Sequence, residues 1–226
     1  MKKLLVVALL VLFPLTNTFG QNSLTTIFVS NNGLSGPDSG IFFDLENVSP
    51  LPIGILSWEI NCSDDNGDGP SVTDISVYTR QGTSQGFEDT PIGWTLVGTQ
   101  TNVMCAGDDL QTPLSVGGII IDPGVTTGIA MVIADGDSQW EYTDGTGGNQ
   151  VYNNGELEIR TGSSLQPAFT GDEEDINEPR VWNGTVFYEF TERLEVPTLS
   201  EWGLISTAAI LGIVGFMVMR RRKAAA

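Results

Sequence analysis

Short runs of β-branched and aromatic residues recur between Gln21 and Val196, and Gly, Pro, Asn or Asp bounds almost every one of them. Apolar spacing of the helical kind is hard to find in the same stretch. Runs of this length and composition are typical of β-strands. The sequence therefore predicts an all-β domain with strands at Ile41–Leu45, Ile53–Ile60, Val72–Arg80, Trp94–Gly98, Gly118–Ile121, Thr126–Ala134, Gln139–Thr143, Leu157–Arg160 and Val186–Phe190.

Alternation and turn chemistry indicate how these strands are arranged. In the strand that begins at Val72, the apolar residues are Val72, Ile75 and Val77, and we expect them on the inward face. The run Ile129–Ala134 is apolar on both faces and is predicted to be central. Many short strands, joined by turns such as Asp-Pro-Gly at residues 122–124, favour a two-sheet antiparallel β-sandwich that is jelly-roll-like.

The N-terminus has the pattern of a secretory signal peptide. Two lysines precede the short apolar run Leu4–Phe13. Thr18 and Gly20 place small residues at the two positions that a signal peptidase reads. We therefore expect residues 1–20 to be removed before Gln21 during export.

The C-terminus contains an apolar segment, Trp202 to Met219, of 18 residues without a charge. This length is the lower limit for a helix that crosses a hydrocarbon core of about 30 Å. A basic cluster follows directly and consists of Arg220, Arg221, Arg222 and Lys223. Because such a cluster stays in the cytoplasm, we predict a transmembrane helix at 202–219 with the rest of the chain outside.

An eight-residue motif leads into this segment and consists of Val196, Pro197, Thr198, Leu199, Ser200, Glu201, Trp202 and Gly203. The motif, span and basic cluster together resemble the C-terminal sorting domain of bacterial exosortase substrates, whose signature begins Ile-Pro-Thr-Leu. Val196 stands at the position of the first Ile. The resemblance implies that an exosortase-type transpeptidase in the membrane cuts near the motif and passes the protein to the cell surface or extracellular matrix. The alternative is a plain single-span anchor.

The charge of the predicted domain, residues 21–195, restricts its partners. It keeps four arginines against 27 of the 28 acidic residues, a net charge of −23. Such a surface repels nucleic acid and anionic lipid, and it attracts divalent cations. We expect no nucleic-acid partner, and membrane contact only through the C-terminal helix before processing.

Histidine is absent from the chain, and lysine is absent from residues 21–195. The first absence excludes Ser-His-Asp and Cys-His nucleophiles and His-ligated zinc. The second excludes Schiff-base chemistry and a phosphate-binding P-loop in this domain. A hydrolase with two carboxylates remains open, but no pair stands out among so many. We therefore assign no catalytic residue and predict a protein that is not an enzyme.

Cys62 and Cys105 are the two cysteines of the chain. An even number in an exported chain favours a disulfide, because the compartment is oxidising. The alternative is a pair of small buried thiols that pack as apolar side chains.

The loop after Cys62 has the spacing of the first half of a calcium loop. Asp64, Asn66 and Asp68 alternate, and a glycine follows at the turn. The second half departs from the pattern, because Ile75 occupies the position of the expected bidentate Glu. Further ligands could come from Asp108 or Asp109, if a disulfide held them nearby. The alternative is a polar hairpin loop, so calcium is the only cofactor that we consider.

The domain itself also resembles a known module. The segments that carry the likeness are Gly86–Pro91, Trp94–Gly98, Ile121–Gly128, Asp144–Gly147 and Pro179–Val186. They are similar to a β-sandwich module of unassigned function in secreted bacterial proteins that carry C-terminal sorting signals. No catalytic residues come with this resemblance.

Two functions of different classes follow from these observations. The first is an exported, non-catalytic surface or matrix protein that is sorted at its C-terminus. The second is a carbohydrate-binding or adhesive module, calcium-dependent or not, whose partner is an extracellular polysaccharide. Trp58, Trp94, Trp140 and Trp182 are expected as core aromatics of the sandwich rather than as a sugar platform, and Trp182, between Arg180 and Asn183, is the best exposed candidate for such a platform.

Overall fold

The computed structural model describes residues 20–67, 69–171, 176–191 and 205–213, together with Phe216 and Arg220. The chain divides into two compact units, Met1–Thr191 and Glu192–Ala226. In the first unit the described residues form strands and their connections, and in the second residues 205–213 are helical. Residues 1–19, which contain most of the predicted signal peptide, lie outside the described residues.

The strands of the first unit are short to medium in length. They are β1 Asn22–Thr25, β2 Asn32–Ser35, β3 Ser39–Asn47, β4 Ile53–Asp64, β5 Ser71–Gln81, β6 Thr95–Cys105, β7 Gln111–Leu114, β8 Ile119–Ile121, β9 Thr126–Ile133, β10 Ser138–Asp144, β11 Val151–Asn153, β12 Leu157–Leu165, β13 Arg180–Trp182 and β14 Gly184–Phe190. Each of the nine predicted strands coincides with one of these.

The strands form two antiparallel sheets. One has six strands in the order β11-β12-β3-β9-β5-β6. The other has eight strands and follows the path β1-β14-β4-β10-β13, with β7 and β8 also paired to β4 and β2 to β10. The predicted all-β sandwich of two antiparallel sheets is therefore confirmed.

The core between the sheets is built around aromatic side chains from both. The ring of Phe43 on β3 stacks on that of Trp182 on β13, with 4.4 Å between centroids. Trp58 on β4 meets Trp182 edge-on at 6.0 Å. The indole N–H groups of Trp58 and Trp140 donate to the backbone oxygens of Val116 and Ser39 at 2.6 and 2.9 Å, so these large side chains are buried with their donors satisfied.

The strand β9 is covered on both faces, as its doubly apolar sequence predicts. Ile129, Met131 and Ile133 face the main core, whereas Ala130 and Val132 belong to a second apolar cluster on the outer face of the six-stranded sheet. The other buried members of that cluster are Phe42, Leu165 and Ala168, and Tyr78, Trp94, Phe169 and Ile176 pack against it. The connections that contain residues 94, 169 and 176 therefore cover part of the outer face.

The inward face predicted for the β5 strand is wrong at its first residue. Ile75 and Val77 are fully buried, but Val72 is 53% exposed and Thr73 takes the inward position. Side chains alternate with a period of two along a strand, so Val72 and Ile75 lie on opposite faces. The buried set is therefore Thr73, Ile75 and Val77.

Gly117 allows the connection between β7 and β8 to pass close over β4. A Cβ atom at residue 117 would collide with the backbone oxygen of Leu56 and lie 2.9 Å from that of Ile55. Both oxygens are main-chain atoms of β4, so they cannot move aside by a side-chain rotation. Only glycine fits here without moving the backbone.

We expect Gly117→Ala to lower the free energy of unfolding by about 1–3 kcal/mol, the usual cost of overpacking a well-ordered site. Gly148→Ala is the matched control, because a Cβ there meets nothing closer than 3.9 Å. Urea unfolding of the two variants measures the difference. Equal midpoints would contradict the close approach at residue 117.

Candidate functional site

A disulfide joins the two sheets at one end of the sandwich. The sulfur atoms of Cys62 on β4 and Cys105 at the end of β6 are bonded, and the two Cα atoms are 5.1 Å apart. Both side chains are fully buried. The predicted bridge is confirmed, and it connects the eight-stranded sheet directly to the six-stranded one.

The candidate calcium loop follows Cys62 and begins as a tight turn between β4 and β5. The Gly67 N–H donates to the backbone oxygen of Asp64 at 3.0 Å, and the Asn66 N–H donates to Asp64 Oδ1 at 3.2 Å. The Asp64 N–H donates to the Gly69 oxygen at 2.9 Å. Asp68 lies outside the described residues. The described part is a hydrogen-bonded polar turn that contains Asp64 and Asn66.

The disulfide brings Asp108 and Asp109 to this end of the sandwich, where both carboxylates accept hydrogen bonds from Ser30. The Ser30 hydroxyl donates to Asp108 Oδ1 at 2.5 Å, and the Ser30 N–H donates to Asp109 Oδ1 at 2.7 Å. Among the described residues, no three Asp, Glu, His or Cys side chains form a group that could hold a metal ion. A site completed by Asp68 stays a prediction.

Glu141 on β10 is a buried carboxyl group at the same end. Its Oε1 atom accepts hydrogen bonds from Ser63 Oγ and Gln139 Nε2, each at 2.6 Å. Burial raises the pKa of Glu141 above its ordinary value, while these two hydrogen bonds act in the opposite direction and the charge of Asp108 adds to the rise. The raised pKa means that ionisation of Glu141 is less favourable in the folded protein than in the unfolded chain.

This shift has a consequence for stability as a function of pH. The stabilisation associated with a raised pKa is fully present below the unfolded value, near 4.5, and is lost as the pH rises through the folded value. We therefore expect the stability of Glu141→Gln relative to wild type to increase between pH 4 and pH 7. Thermal melts across this range measure it, with Glu189→Gln as a control for the loss of one negative charge. If the stability of Glu141→Gln relative to wild type fell as the pH rose, the result would contradict a raised pKa for Glu141.

Trp58, Trp94, Trp140 and Trp182 do not form a sugar platform. As expected for core aromatics, Trp58, Trp140 and Trp182 are at most 1% exposed. Trp182, the best candidate for an exposed ring, stacks on Phe43 between the sheets. Trp94 packs on the second apolar cluster, 5.9 Å from Phe42 between ring centroids.

A groove of about 870 Å³ lies on the part of the outer face of the six-stranded sheet that the second cluster leaves uncovered. Its floor includes Asp44 of β3, Thr126 of β9 and Arg160 of β12. Residues 82–85 line it above β9, and Gln150 and Val151 line it beyond β12. The groove therefore runs across neighbouring strands between two walls.

Hydrogen bonds to Asp44 fix the wall at residues 82–85. Thr83 Oγ1 donates to Asp44 Oδ2 and the Ser84 N–H donates to Asp44 Oδ1, both at 2.6 Å. Gly128 allows the loop to approach β9, since a Cβ there would lie 2.9 Å from the Ser84 nitrogen. The position of this wall therefore depends on the Asp44 carboxylate and on the absence of a side chain at Gly128.

Glu88 is a buried carboxylate at the far end of the groove, where only 2% of the residue is exposed. Its Oε1 accepts from Ser163 Oγ at 2.7 Å, and its Oε2 accepts from the Phe87 N–H at 2.8 Å. Glu88, together with Gln85 and Glu178, also lines an adjoining cavity of about 410 Å³. The two cavities therefore adjoin and have Gln85, Glu88 and Glu178 in common.

Arg160 supplies the positive charge of the groove. Its Nη2 lies 2.7 Å from Glu46 Oε2, and its Nε lies 2.6 Å from Glu158 Oε1. These two ion pairs hold the guanidinium beside Glu46 and Glu158. Sequence reasoning missed this site, because its lining comes from separate segments. The available signal was the likeness of residues 86–91, 121–128 and 179–186 to a sandwich module, since these segments contain Glu88, Thr126 and Pro179 of the lining.

The second unit contains the predicted sorting residues. Val196 to Gly203 lie outside the described residues, as do Arg221, Arg222 and Lys223, whereas Arg220 is described as helical. Within the described residues, no helix has both the length and the apolar character needed to span a bilayer.

Comparison with family models finds an IPTL-CTERM motif at residues 196–222. This match confirms the resemblance of the C-terminus to a sorting signal read by an exosortase. It covers the motif that begins at Val196 and continues through Arg222. A comparison with curated proteins finds no significant match.

Solved structures with a related arrangement share little sequence with this chain. One contains the cysteine protease and lectin-like domains of Cwp84, a surface layer associated protein of Clostridium difficile, with 14% identity and a TM-score of 0.40 over 76% of this chain and 36% of that one. Another is that of the infectious bursal disease virus Gx strain, with 12% identity and a TM-score of 0.30 over 87% of this chain and 49% of that one. The chain spans less than half the length of either structure. Of these matches, the sorting motif is the one that bears on function.

Proposed function

We propose that this protein is an exported, non-catalytic surface or extracellular-matrix protein that an exosortase-type transpeptidase processes near Pro197. The observation that carries the proposal is the IPTL-CTERM motif at residues 196–222. The signature, the apolar segment and the basic residues occur in the order that a sorting enzyme requires. The catalytic residues of the processing step belong to the partner enzyme.

The chemistry of the motif supports recognition by a protease cleft. Pro197 fixes its own φ angle, carries no N–H group and disfavours a helical conformation at Val196. An extended segment is what such a cleft binds. The last strand, β14, ends at Phe190, and the first compact unit ends at Thr191, so only four residues of sequence separate that unit from Val196.

The membrane topology is part of the same proposal. Residues 1–20 direct export and are removed, and residues 202–219 cross the membrane until processing. Arg220 to Lys223 hold the C-terminus in the cytoplasm, because cations resist translocation. The body then faces the exterior, where the Cys62–Cys105 bridge persists.

The body supplies structure and surface rather than catalysis. The absence of histidine from the chain supports this assignment, since it removes imidazole general acid–base chemistry at neutral pH. The large negative charge supports a soluble, self-repelling surface outside the cell.

The intact mass and the fractionation of native protein test the proposal. In a strain with an active sorting enzyme, we expect a mature form that lacks residues 204–223 and ends close to Pro197. Deletion of that enzyme is expected to leave the full C-terminus in the membrane fraction. Native protein that retains residues 204–223 in the active strain would make the segment a plain anchor.

Calcium is the one candidate cofactor that we propose for the body. The incomplete ligand set of Asp64, Asn66 and Asp68 resembles weak extracellular sites, so we expect a dissociation constant of about 0.1–1 mM. Calcium should then raise the melting temperature, and Asp64→Ala with Asp68→Ala should abolish the rise. An identical rise in the double variant would show that screening of the acidic surface is responsible.

A further inference from the structure

We propose that the groove on the outer face of the six-stranded sheet binds a neutral oligosaccharide. The groove and its adjoining cavity, about 870 and 410 Å³, have the size of ligand sites, which are about 300–1,000 Å³. The groove runs across several strands of the sheet, which suits a chain-shaped ligand. This assignment does not depend on the sorting proposal.

The carboxylates of the groove are held in place before a ligand arrives. Glu88 is almost completely buried, and each of its oxygens accepts one hydrogen bond from the protein. A carboxylate oxygen has two acceptor positions, so each can take a further hydrogen bond. Asp44 is fixed in the same way by Thr83 and Ser84. Oriented acceptors of this kind match the vicinal hydroxyl groups of a sugar.

Donors lie beside these acceptors. The Arg160 guanidinium uses Nε and Nη2 for its two ion pairs and has five N–H groups in total, so it retains donors for a ligand. The side-chain amides of Gln85 and Gln150 line the same groove. A sugar hydroxyl both donates and accepts, and a mixture of fixed acceptors and donors satisfies both roles.

The charge and the apolar content of the groove select a neutral sugar. Among the described residues, Asp44, Glu88 and Glu178 line the groove. Of the nearby cations, Arg160 is already paired with Glu46 and Glu158, and Arg80 interacts with Asp44 and Glu88. The local charge therefore stays negative, and an anionic polysaccharide is repelled. Val151 is 59% exposed at its edge and offers an apolar contact for the C–H groups of a pyranose ring.

A glycan array with the full chain in detergent tests this inference. Neutral oligosaccharides of glucose, mannose, xylose and N-acetylglucosamine are the probes, and oligogalacturonate and oligolysine are the charged comparators. We expect retention of at least one neutral series, unchanged by 0.5 M NaCl. The proposal is overturned if no neutral series is retained at millimolar concentration, or if either charged probe binds more tightly than the neutral series in 0.5 M NaCl, where attraction to the acidic surface is screened.

Variants of the two wall amides locate the binding. Gln85→Ala with Gln150→Ala removes two neutral hydrogen-bonding side chains and should weaken binding about tenfold or more. Gln111→Ala is the matched control, since Gln111 is exposed on β7 of the other sheet. Thermal melts confirm that each variant is folded. Equal affinity of the double variant and the control would place the sugar elsewhere and overturn the assignment.

Discussion

Replacement of Pro197 and Thr198 by alanine is expected to leave the whole population of this protein unprocessed and held in the membrane. Under the proposed function, the substitution removes the proline and threonine that the transpeptidase would recognise, and it leaves the sequence of residues 202–219 unchanged. Intact-mass analysis of the membrane and surface fractions measures the outcome. Glu195→Ala changes the residue before the motif and should be processed like the wild type.

Replacement of Arg220, Arg221 and Arg222 by alanine should have a different effect. In the proposed topology these cations keep the C-terminus in the cytoplasm, so their loss is expected to lower the amount of correctly inserted chain before any cut is made. For the first variant, processing at the wild-type rate after replacement of Pro197 and Thr198 would show that the transpeptidase does not recognise these two residues.

Replacement of both Cys62 and Cys105 by alanine is expected to lower the free energy of unfolding by about 4 kcal/mol. The bridge closes a loop with a sequence separation of 43, and it stabilises the fold by restricting the unfolded chain. Alanine is preferred to serine because both positions are fully buried and a hydroxyl there would lack a partner.

Denaturant unfolding in oxidising and reducing buffer separates the bridge from side-chain packing. The denaturation midpoint of the reduced wild type should fall to about that of the double variant, whereas the midpoint of the oxidised wild type should remain well above both. A double variant as stable as the oxidised protein would show that the cross-link contributes nothing.

The sequence was most informative where a strand is long and both of its faces are distinctive. The doubly apolar run at 129–134 predicted a central strand, and β9 lies between β3 and β5. The strands β1, β2, β7, β11 and β13 were missed, since each has only three or four residues. In β2 the sequence Asn-Gly-Leu-Ser has the composition of a turn, and it becomes a strand through pairing with β10.

The candidate sites differ in how far local sequence could define them. The disulfide was predictable from the number of cysteines and from the oxidising compartment expected for an exported chain. The groove depends on contacts such as Thr83 with Asp44 and Glu88 with Ser163, which join residues far apart in the chain. Trp182 was the best candidate for an exposed ring because of its polar neighbours in sequence, but its environment is set by Phe43, on which it stacks between the sheets. Pairings of this kind depend on the sheet order, which a local pattern does not contain.

The position of β14 has a consequence for the timing of folding during export. It pairs with β1 on one side and β4 on the other, so the first strand of the body gains its partner only after residues 184–190 have been translocated. Non-local pairing of this kind forms late, since a long loop must close first. The sorting motif begins at Val196, shortly after β14 ends at Phe190. A chain interrupted upstream would therefore lack both the strand that completes the sheet and the address for delivery, so only full-length chains could be both folded and sorted.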